Sequence, residues 1–294
     1  MKLIESSFKI LQQTIGFSSS GARSSIPVKL SPDFRIFNQQ VGPPISSLTG
    51  LPAKLAPHQL EIGGYRGKDL LLNKANKVGA TWTILRKMEQ LATVPELPDN
   101  CIGYNLMLTS SRAELAMENM LRLQRDFDSP ALSHFVKEKK ATRLVLKDNT
   151  RFLTAPATPA AMRSWERIKF IFADESAHIG RLDDSEYVGA MTARLANTDG
   201  YFWTASTPKG QRGFFWKLAI QSRDSQIRMK YMEIPYREGL SGGFFTEEFI
   251  DKERKRLGTL FAQEYECKFL SAENAAIEQQ LIEQSQTLDY IEEW

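Results

Sequence analysis

The sequence predicts an α/β fold: a mostly parallel sheet flanked by helices, with an N-terminal arm and a helical C-terminal segment. Three observations predict it. Short, mostly apolar runs recur as Leu70-Leu71-Leu72, Ile102 to Leu108, Phe170-Ile171-Phe172-Ala173 and Tyr201-Phe202-Trp203-Thr204-Ala205, the pattern of strands buried on both faces. Amphipathic stretches separate these runs, and strands alternating with helices imply βαβ units. Finally, 294 residues that are 42% apolar and 25% charged supply a sizeable core and exclude wholesale disorder.

The elements follow in order. Ile4, Phe8, Leu11 and Ile15 share one helical face, and a Ser- and Pro-rich stretch then runs through Pro52. Residues 1–50 therefore read as a short amphipathic helix plus a poorly structured arm. Residues 51–235 read as the core. Asp69 to Leu72 is a buried strand, followed by a small turn and a helix from about Thr81 to Leu91. Ile102 to Leu108 is a second strand, and Ser110 reads as the N-cap of a helix reaching Asp126. Leu144 to Leu146 and Arg151 to Leu153 flank Asp148-Asn149, a hairpin signal. Residues 236–294 read as a helical segment from Thr246 to Phe269 and an acidic tail: beyond Lys268 no Lys or Arg occurs, whereas Glu273, Glu278, Glu283, Asp289, Glu292 and Glu293 do.

Composition narrows the chemistry. The net charge of +3 is too small to name a partner. Cys101 and Cys267 cannot form a disulfide framework and read as reduced, buried thiols. His58, His134 and His178 are far apart, without zinc-ligand spacing. No apolar run approaches the roughly 20 residues that span a bilayer, and Glu5 and Lys9 interrupt the N-terminus, so no signal peptide is expected. The expectation is a soluble cytoplasmic protein without a membrane partner.

The first constellation that carries chemistry is Lys74-Ala75-Asn76-Lys77-Val78-Gly79-Ala80-Thr81, placed between an apolar strand and a helix. A standard phosphate loop reads G-x-x-x-x-G-K-[ST]. Gly79 and Thr81 occupy the second glycine and the hydroxyl, Ala80 replaces the lysine, and Lys74 stands at the first glycine. The chemistry survives this exchange. Gly79 lets backbone N–H groups close on phosphates, and the helix offers them its positive end. Thr81 can ligate Mg²⁺, and Lys74 can supply charge from the opposite lip. An ordinary strand-to-helix turn with nearby lysines fits the same letters.

Phe170 to Glu175 adds support. An apolar strand ending in Asp174-Glu175 delivers two acids to its C-terminal edge, where ligands of open α/β sheets bind. Asp174 suits Mg²⁺ and Glu175 suits an attacking water. Ser206-Thr207-Pro208-Lys209-Gly210 also ends an apolar strand. Its hydroxyls can reach the γ-phosphate region, although a plain Pro-Lys-Gly turn reads the same way.

In this order the segments resemble the ATPase (motor) domain of viral and proviral large terminase subunits. The likeness is carried by Ala56 to Ile62, Lys74 to Trp82, Ala155 to Arg163, Phe170 to Ile179, Ser206 to Gly210 and Phe261 to Phe269. It implies a phosphate-loop (P-loop, RecA/ASCE-like) NTPase with ATP and Mg²⁺ as cofactors. By resemblance Gln59 reads adenine, Lys74, Lys77, Gly79, Ala80 and Thr81 form the Walker A loop, and Asp174 and Glu175 are the Walker B and catalytic acids. Ser206 and Thr207 would couple hydrolysis to motion. Arg163 would be the finger given to a neighbouring subunit, although an exposed salt-bridge arginine fits it equally, and Arg167, Arg112 and Lys77 are rivals for the positive roles.

The sequence departs from the family at Asn76-Lys77, where Arg-Gln is common, at Ser164 after Arg163, where glycine is frequent, and at Lys209, where asparagine is usual. Family members continue into a nuclease. Asp289, Glu292 and Glu293 lack a strand framework for a two-metal site, so no nuclease activity is expected here.

The implied partners are double-stranded DNA, a homo-oligomeric ring, a small terminase subunit and a portal or procapsid. Lys137 to Arg143, and Lys209, Arg212, Lys217, Arg223, Arg228 and Lys230, are basic stretches that suit backbone contacts or equally a solvated face. Phe214, Phe215 and Trp216 read as core packing. Two other functions fit the same letters: a helicase-like remodelling ATPase, which needs a second lobe, and a non-hydrolysing structural module, which has no need of Glu175.

Overall fold

Leu70, Leu72, Leu106, Leu108, Phe170, Phe172 and Trp203 point to one face of a central sheet, whereas Leu71, Met107, Ile171 and Phe202 point to the other. The two-residue period of a strand separates them, and both sets are buried because helices cover both faces. Burying each of these side chains contributes about 1.5–3 kcal/mol. The computed structural model describes residues 29–45, 48–179 and 184–271.

The strands are β1 (Asp69–Lys74), β2 (Asn105–Ser110), β3 (Val136–Lys140), β4 (Arg143–Leu146), β5 (Arg151–Pro156), β6 (Ile168–Asp174), β7 (Tyr201–Ser206) and β8 (Lys230–Ile234). They form one sheet in the order β3-β4-β5-β2-β6-β7-β1-β8. Pairing is parallel from β5 through β8, and β3 and β4 extend the sheet antiparallel. The expected mostly parallel α/β architecture is therefore present.

The helices are α1 (Phe34–Val41), α2 (Pro57–Gly64), α3 (Ala80–Thr93), α4 (Ala113–Asp126), α5 (Pro159–Arg163), α6 (Asp184–Leu195), α7 (Gly213–Arg223), α8 (Tyr236–Ser241), α9 (Glu247–Leu257) and α10 (Leu260–Glu266). Ile84 and Met88 of α3 and Met120 and Leu123 of α4 fill one side of the sheet. Tyr187 and Met191 of α6 and Phe214 and Phe215 of α7 fill the other, so the two phenylalanines do pack the core.

Several local expectations differ from the structure. Within the stretch read as an arm, the Asp33 side chain accepts from the Ile36 amide at 3.0 Å and caps α1, whose Phe37 and Val41 join the main core. Ser110 is the last residue of β2 and not a helix cap, because the ladders to Pro156 and Asp174 carry the extended backbone to that point. The helix instead starts at Ala113 without a side-chain cap. β3 and β8 lie within basic stretches and hide behind the charges that edge strands carry. The β3 charges are largely paired: Lys139 with Asp128 at 2.6 Å, Lys140 with Glu138 at 2.7 Å and Arg143 with Glu138 at 3.0 Å. The C-terminal helical stretch breaks at Gly258, which has φ +54°. The helix expected over 4–15 and the acidic tail from Glu273 lie outside the described residues. No helix among the described residues is long and apolar enough to cross a membrane, and both cysteines are buried and free.

Lys87 of α3 is buried, with its ammonium donating to Gln90 at 3.2 Å. Burial first, and the Arg66 charge second, pull its pKa down from 10.5 to about 8. Between pH 8 and 10.5 the unfolded chain then holds the extra proton, so stability rises with pH across that window and is lowest below it. Lys87→Met is expected to stabilise the protein at pH 7 by about 1–3 kcal/mol and to flatten that rise, as read by urea denaturation at a series of pH values.

Candidate active site

β7 lies between β1 and β6, with Asn73 opposite Ser206 and Asp174 opposite Ala205. This register brings the turn after β1 and the acid pair ending β6 to the same C-terminal edge, one strand apart. In that turn Lys77 has φ +57° and Gly79 φ +76°. A Cβ at Gly79 would sit 2.8 Å from the Phe244 ring and 2.9 Å from Gln59 Nε2, so glycine is required for both conformation and space. The 14-residue helix α3 begins immediately afterwards, directing its free N–H groups into the crevice.

Across the crevice, Lys74 Nζ donates to Glu175 Oε1 at 2.8 Å and the Thr81 hydroxyl donates to Asp174 at 3.1 Å. Asn119 of α4 also donates to Asp174, at 2.9 Å. Burial raises the Asp174 pKa, and the neighbouring Glu175 charge adds to the rise. Burial alone would raise Glu175 too, but the Lys74 ammonium against it holds its carboxyl below the ordinary value. Burial opposes the charge on Lys74, yet Glu175 and Asp174 together raise its pKa. The arrangement is thus one buried ammonium facing two acids of unequal basicity. Glu175 adopts φ +48°, a left-handed conformation that costs a non-glycine residue of order 1 kcal/mol and that clusters at functional sites.

The other residues singled out from the sequence divide. Lys77 and Ala80 line the same crevice. Gln59 also lines it, but its amide is engaged: Oε1 accepts from the Ala56 amide at 3.0 Å and Nε2 donates to Thr83 at 3.1 Å. Ser206 donates to Glu175 at 3.4 Å, and Thr207 lies 3.1 Å from His178 Nε2. Arg163 is not among the crevice residues; it pairs with Glu186 at 2.7 Å on an exposed surface. Its rival Arg167 donates to the Gly103 carbonyl, at the opposite edge of the sheet from the acids.

The crevice encloses about 640 Å³, within the range of small-molecule sites. Some of its polar groups went unread in the sequence. Leu115, Glu118, Asn119 and Arg122 of α4 line it, at the 3-1-3 spacing of one helical face. That period was the available signal. Arg122 pairs with Glu118 at 2.6 Å. Burial lowers the pKa of His58, leaving a neutral ring whose Nε2–H donates to the Val78 carbonyl at 2.8 Å and braces the turn. No local pattern announced that bond.

The sequence matches no model of a known protein family and no curated protein. Solved structures do match. The large-terminase ATPase domain of Thermus phage P74-26 aligns at 16% identity over 80% of this chain and 97% of its own, with a TM-score of 0.61. The chain has the fold of a large-terminase ATPase domain. The large terminase of a thermophilic bacteriophage, solved in complex with ADP, aligns at 13% identity over 74% of this chain and 54% of its own, with a TM-score of 0.58. The HK97 bacteriophage large terminase gives 16%, 75%, 52% and 0.58 for the same quantities. The chain therefore spans about half the length of these two large terminases.

Proposed function

We propose that the chain is the ATP-hydrolysing motor domain of a large terminase, with residues 51–235 as the ATPase core and the helical segment after them as its C-terminal support. In this reading it moves double-stranded DNA into a procapsid. The observation that carries the proposal is the facing of Lys74 and Thr81 with Glu175 and Asp174 across one crevice. A triphosphate there is held by the α3 N-terminus and Lys74. Asp174 and the Thr81 hydroxyl are hard oxygen donors suited to Mg²⁺. Among the described residues no cluster of three or more His, Cys, Asp or Glu could hold a metal alone, so the nucleotide's oxygens would complete the shell. The ion would neutralise phosphate charge.

Glu175 orients a water in line with the γ-phosphorus and takes its proton as the new P–O bond forms and the bond to the β-phosphate oxygen breaks. Lys74 stabilises the charge that develops. The fold of the neighbours and the ADP complex of one of them agree with this reading. Hydrolysis of Mg-ATP, accelerated by linear duplex DNA and less so as salt rises, is the expected result. Absence of turnover with and without DNA would instead leave a binding module.

Arg163 does not line the crevice and pairs with Glu186 on the surface, so as a finger it would act on a neighbouring subunit's site, and otherwise it is a surface salt-bridge arginine. Arg163→Ala and Glu175→Gln proteins are each expected to be inactive. Mixed one to one, they should recover about a quarter of wild-type turnover, because some sites then combine an intact Glu175 with a neighbour's intact arginine. A mixture as inactive as its components would remove Arg163 from this role.

A further inference from the structure

The segment Phe261 to Phe269 has no role in the mechanism above, yet it touches both the turn after β1 and the loop after β7. Phe261 and Tyr265, one turn apart on α10, stack at 5.0 Å and are buried in the core. This anchor fixes the direction of the residues between them. Glu264 Oε2 accepts from the Asn76 side chain at 2.5 Å, and its backbone carbonyl accepts from the Asn76 amide at 3.1 Å. Asn76 belongs to the phosphate loop. The preceding residue, Gln263, turns the other way: its Oε1 accepts from the Gly210 amide at 3.0 Å, in the loop after β7 that begins with Thr207. Two further bonds fasten the strap. Asn73 donates to the Cys267 carbonyl at 2.8 Å, and the Gln211 amide donates to the Leu270 carbonyl at 3.2 Å.

We infer that Gln263 and Glu264 are positioning residues, a clamp that fixes the phosphate loop and the loop after β7 relative to one another. Adjacent residues of one anchored helix cannot move apart, so a displacement of either loop is transmitted to the other. Asn76 is then held as an internal brace, the place where the sequence departs from the family. Gly210 is held close to Thr207, which borders Glu175 and His178. The clamp rests on the ATPase reading for its kinetic consequences, but not for its mechanical ones.

The test compares Glu264→Ala, Glu264→Gln, Asn76→Ala and Gln263→Ala in the full chain, by steady-state Mg-ATP kinetics and by amide hydrogen exchange over residues 75–81 and 207–211. Glu264→Ala and Asn76→Ala are expected to raise KM for ATP roughly tenfold with a smaller change in kcat, since a misplaced loop weakens phosphate binding first. The double variant should be no worse than either single one. Glu264→Gln keeps an acceptor oxygen and should restore KM to within about twofold. Gln263→Ala should instead lower kcat roughly tenfold at unchanged KM, by freeing the loop beside Glu175. Exchange should quicken over 75–81 in the first pair and over 207–211 in the last.

Unchanged kinetics and unchanged exchange in Glu264→Ala, Asn76→Ala and Gln263→Ala would overturn the clamp. If the wild type neither binds nor turns over ATP, the ATPase reading fails on its own, and the exchange measurement still decides the clamp. Should Glu264→Ala not fold, Asn76→Ala removes the same side-chain bond from the other side.

Discussion

Glu175→Gln is expected to lower ATP turnover about a thousandfold while leaving nucleotide affinity within a few-fold of wild type, because it removes a general base and keeps the shape. Glutamine retains an oxygen for the Lys74 ammonium, which now lies 2.8 Å from Glu175, and turns its amide N–H toward the Ser206 hydroxyl, which then accepts. The left-handed backbone at 175 is equally open to it. What is lost is a carboxylate held ionised by Lys74, which can accept a proton from water while Asp174 is engaged by Thr81 and Asn119 and Glu118 by Arg122. Single-turnover hydrolysis and binding of a fluorescent ATP analogue separate the two effects. A variant that turns over at more than a tenth of the wild-type rate would show that Glu175 does not carry the chemistry.

Lys74→Ala has the second large effect, and it acts in the opposite sense on binding. The ammonium is buried between two acids, so its loss takes away the positive charge facing a triphosphate and leaves Asp174 and Glu175 side by side without a counter-ion. Two adjacent buried carboxylates cannot both ionise cheaply. The pair should therefore take up a proton at higher pH, and protein stability at neutral pH should fall by about 1–3 kcal/mol. Affinity for ATP should drop at least roughly a hundredfold, since charged hydrogen bonds of this kind are worth about 1.5–3 kcal/mol or more when desolvated. Equilibrium titration with the same analogue and urea denaturation measure the two losses. Wild-type affinity in Lys74→Ala would mean that the lysine moved to the front of the loop does not meet the phosphates.

The parts of the molecule that were legible in sequence are those where local pattern and tertiary role coincide. β6 and β7 read directly because both faces are buried, so every residue from Phe170 to Ala173 and from Tyr201 to Ala205 had to be apolar or small. Gly79 was legible because backbone conformation and a close approach demanded one residue type. β3 and β8 were not, since an edge strand is made by its neighbour's ladder and carries charges that also suit a solvated loop. Ser110 misled because a serine before a helical stretch suits a cap, whereas two flanking ladders claimed it first. In the crevice, the acid pair and the loop were readable as contiguous letters. Asn119 and Arg122 come from α4 and the brace His58 from α2, and only the packing of α4 against β2 and β5 and of α2 against α3 places them. Glu264 and Asn76 are 188 residues apart, and no local signal connects them.

The most direct measurement is a crystal structure of the wild-type chain with Mg²⁺ and a non-hydrolysable ATP analogue. The β- and γ-phosphates are expected against the turn from Lys74 to Thr81, the ion between Thr81 and Asp174, and the γ-phosphate between Lys74 and Glu175. A nucleotide bound elsewhere, with the Lys74–Glu175 and Thr81–Asp174 contacts undisturbed, would contradict it.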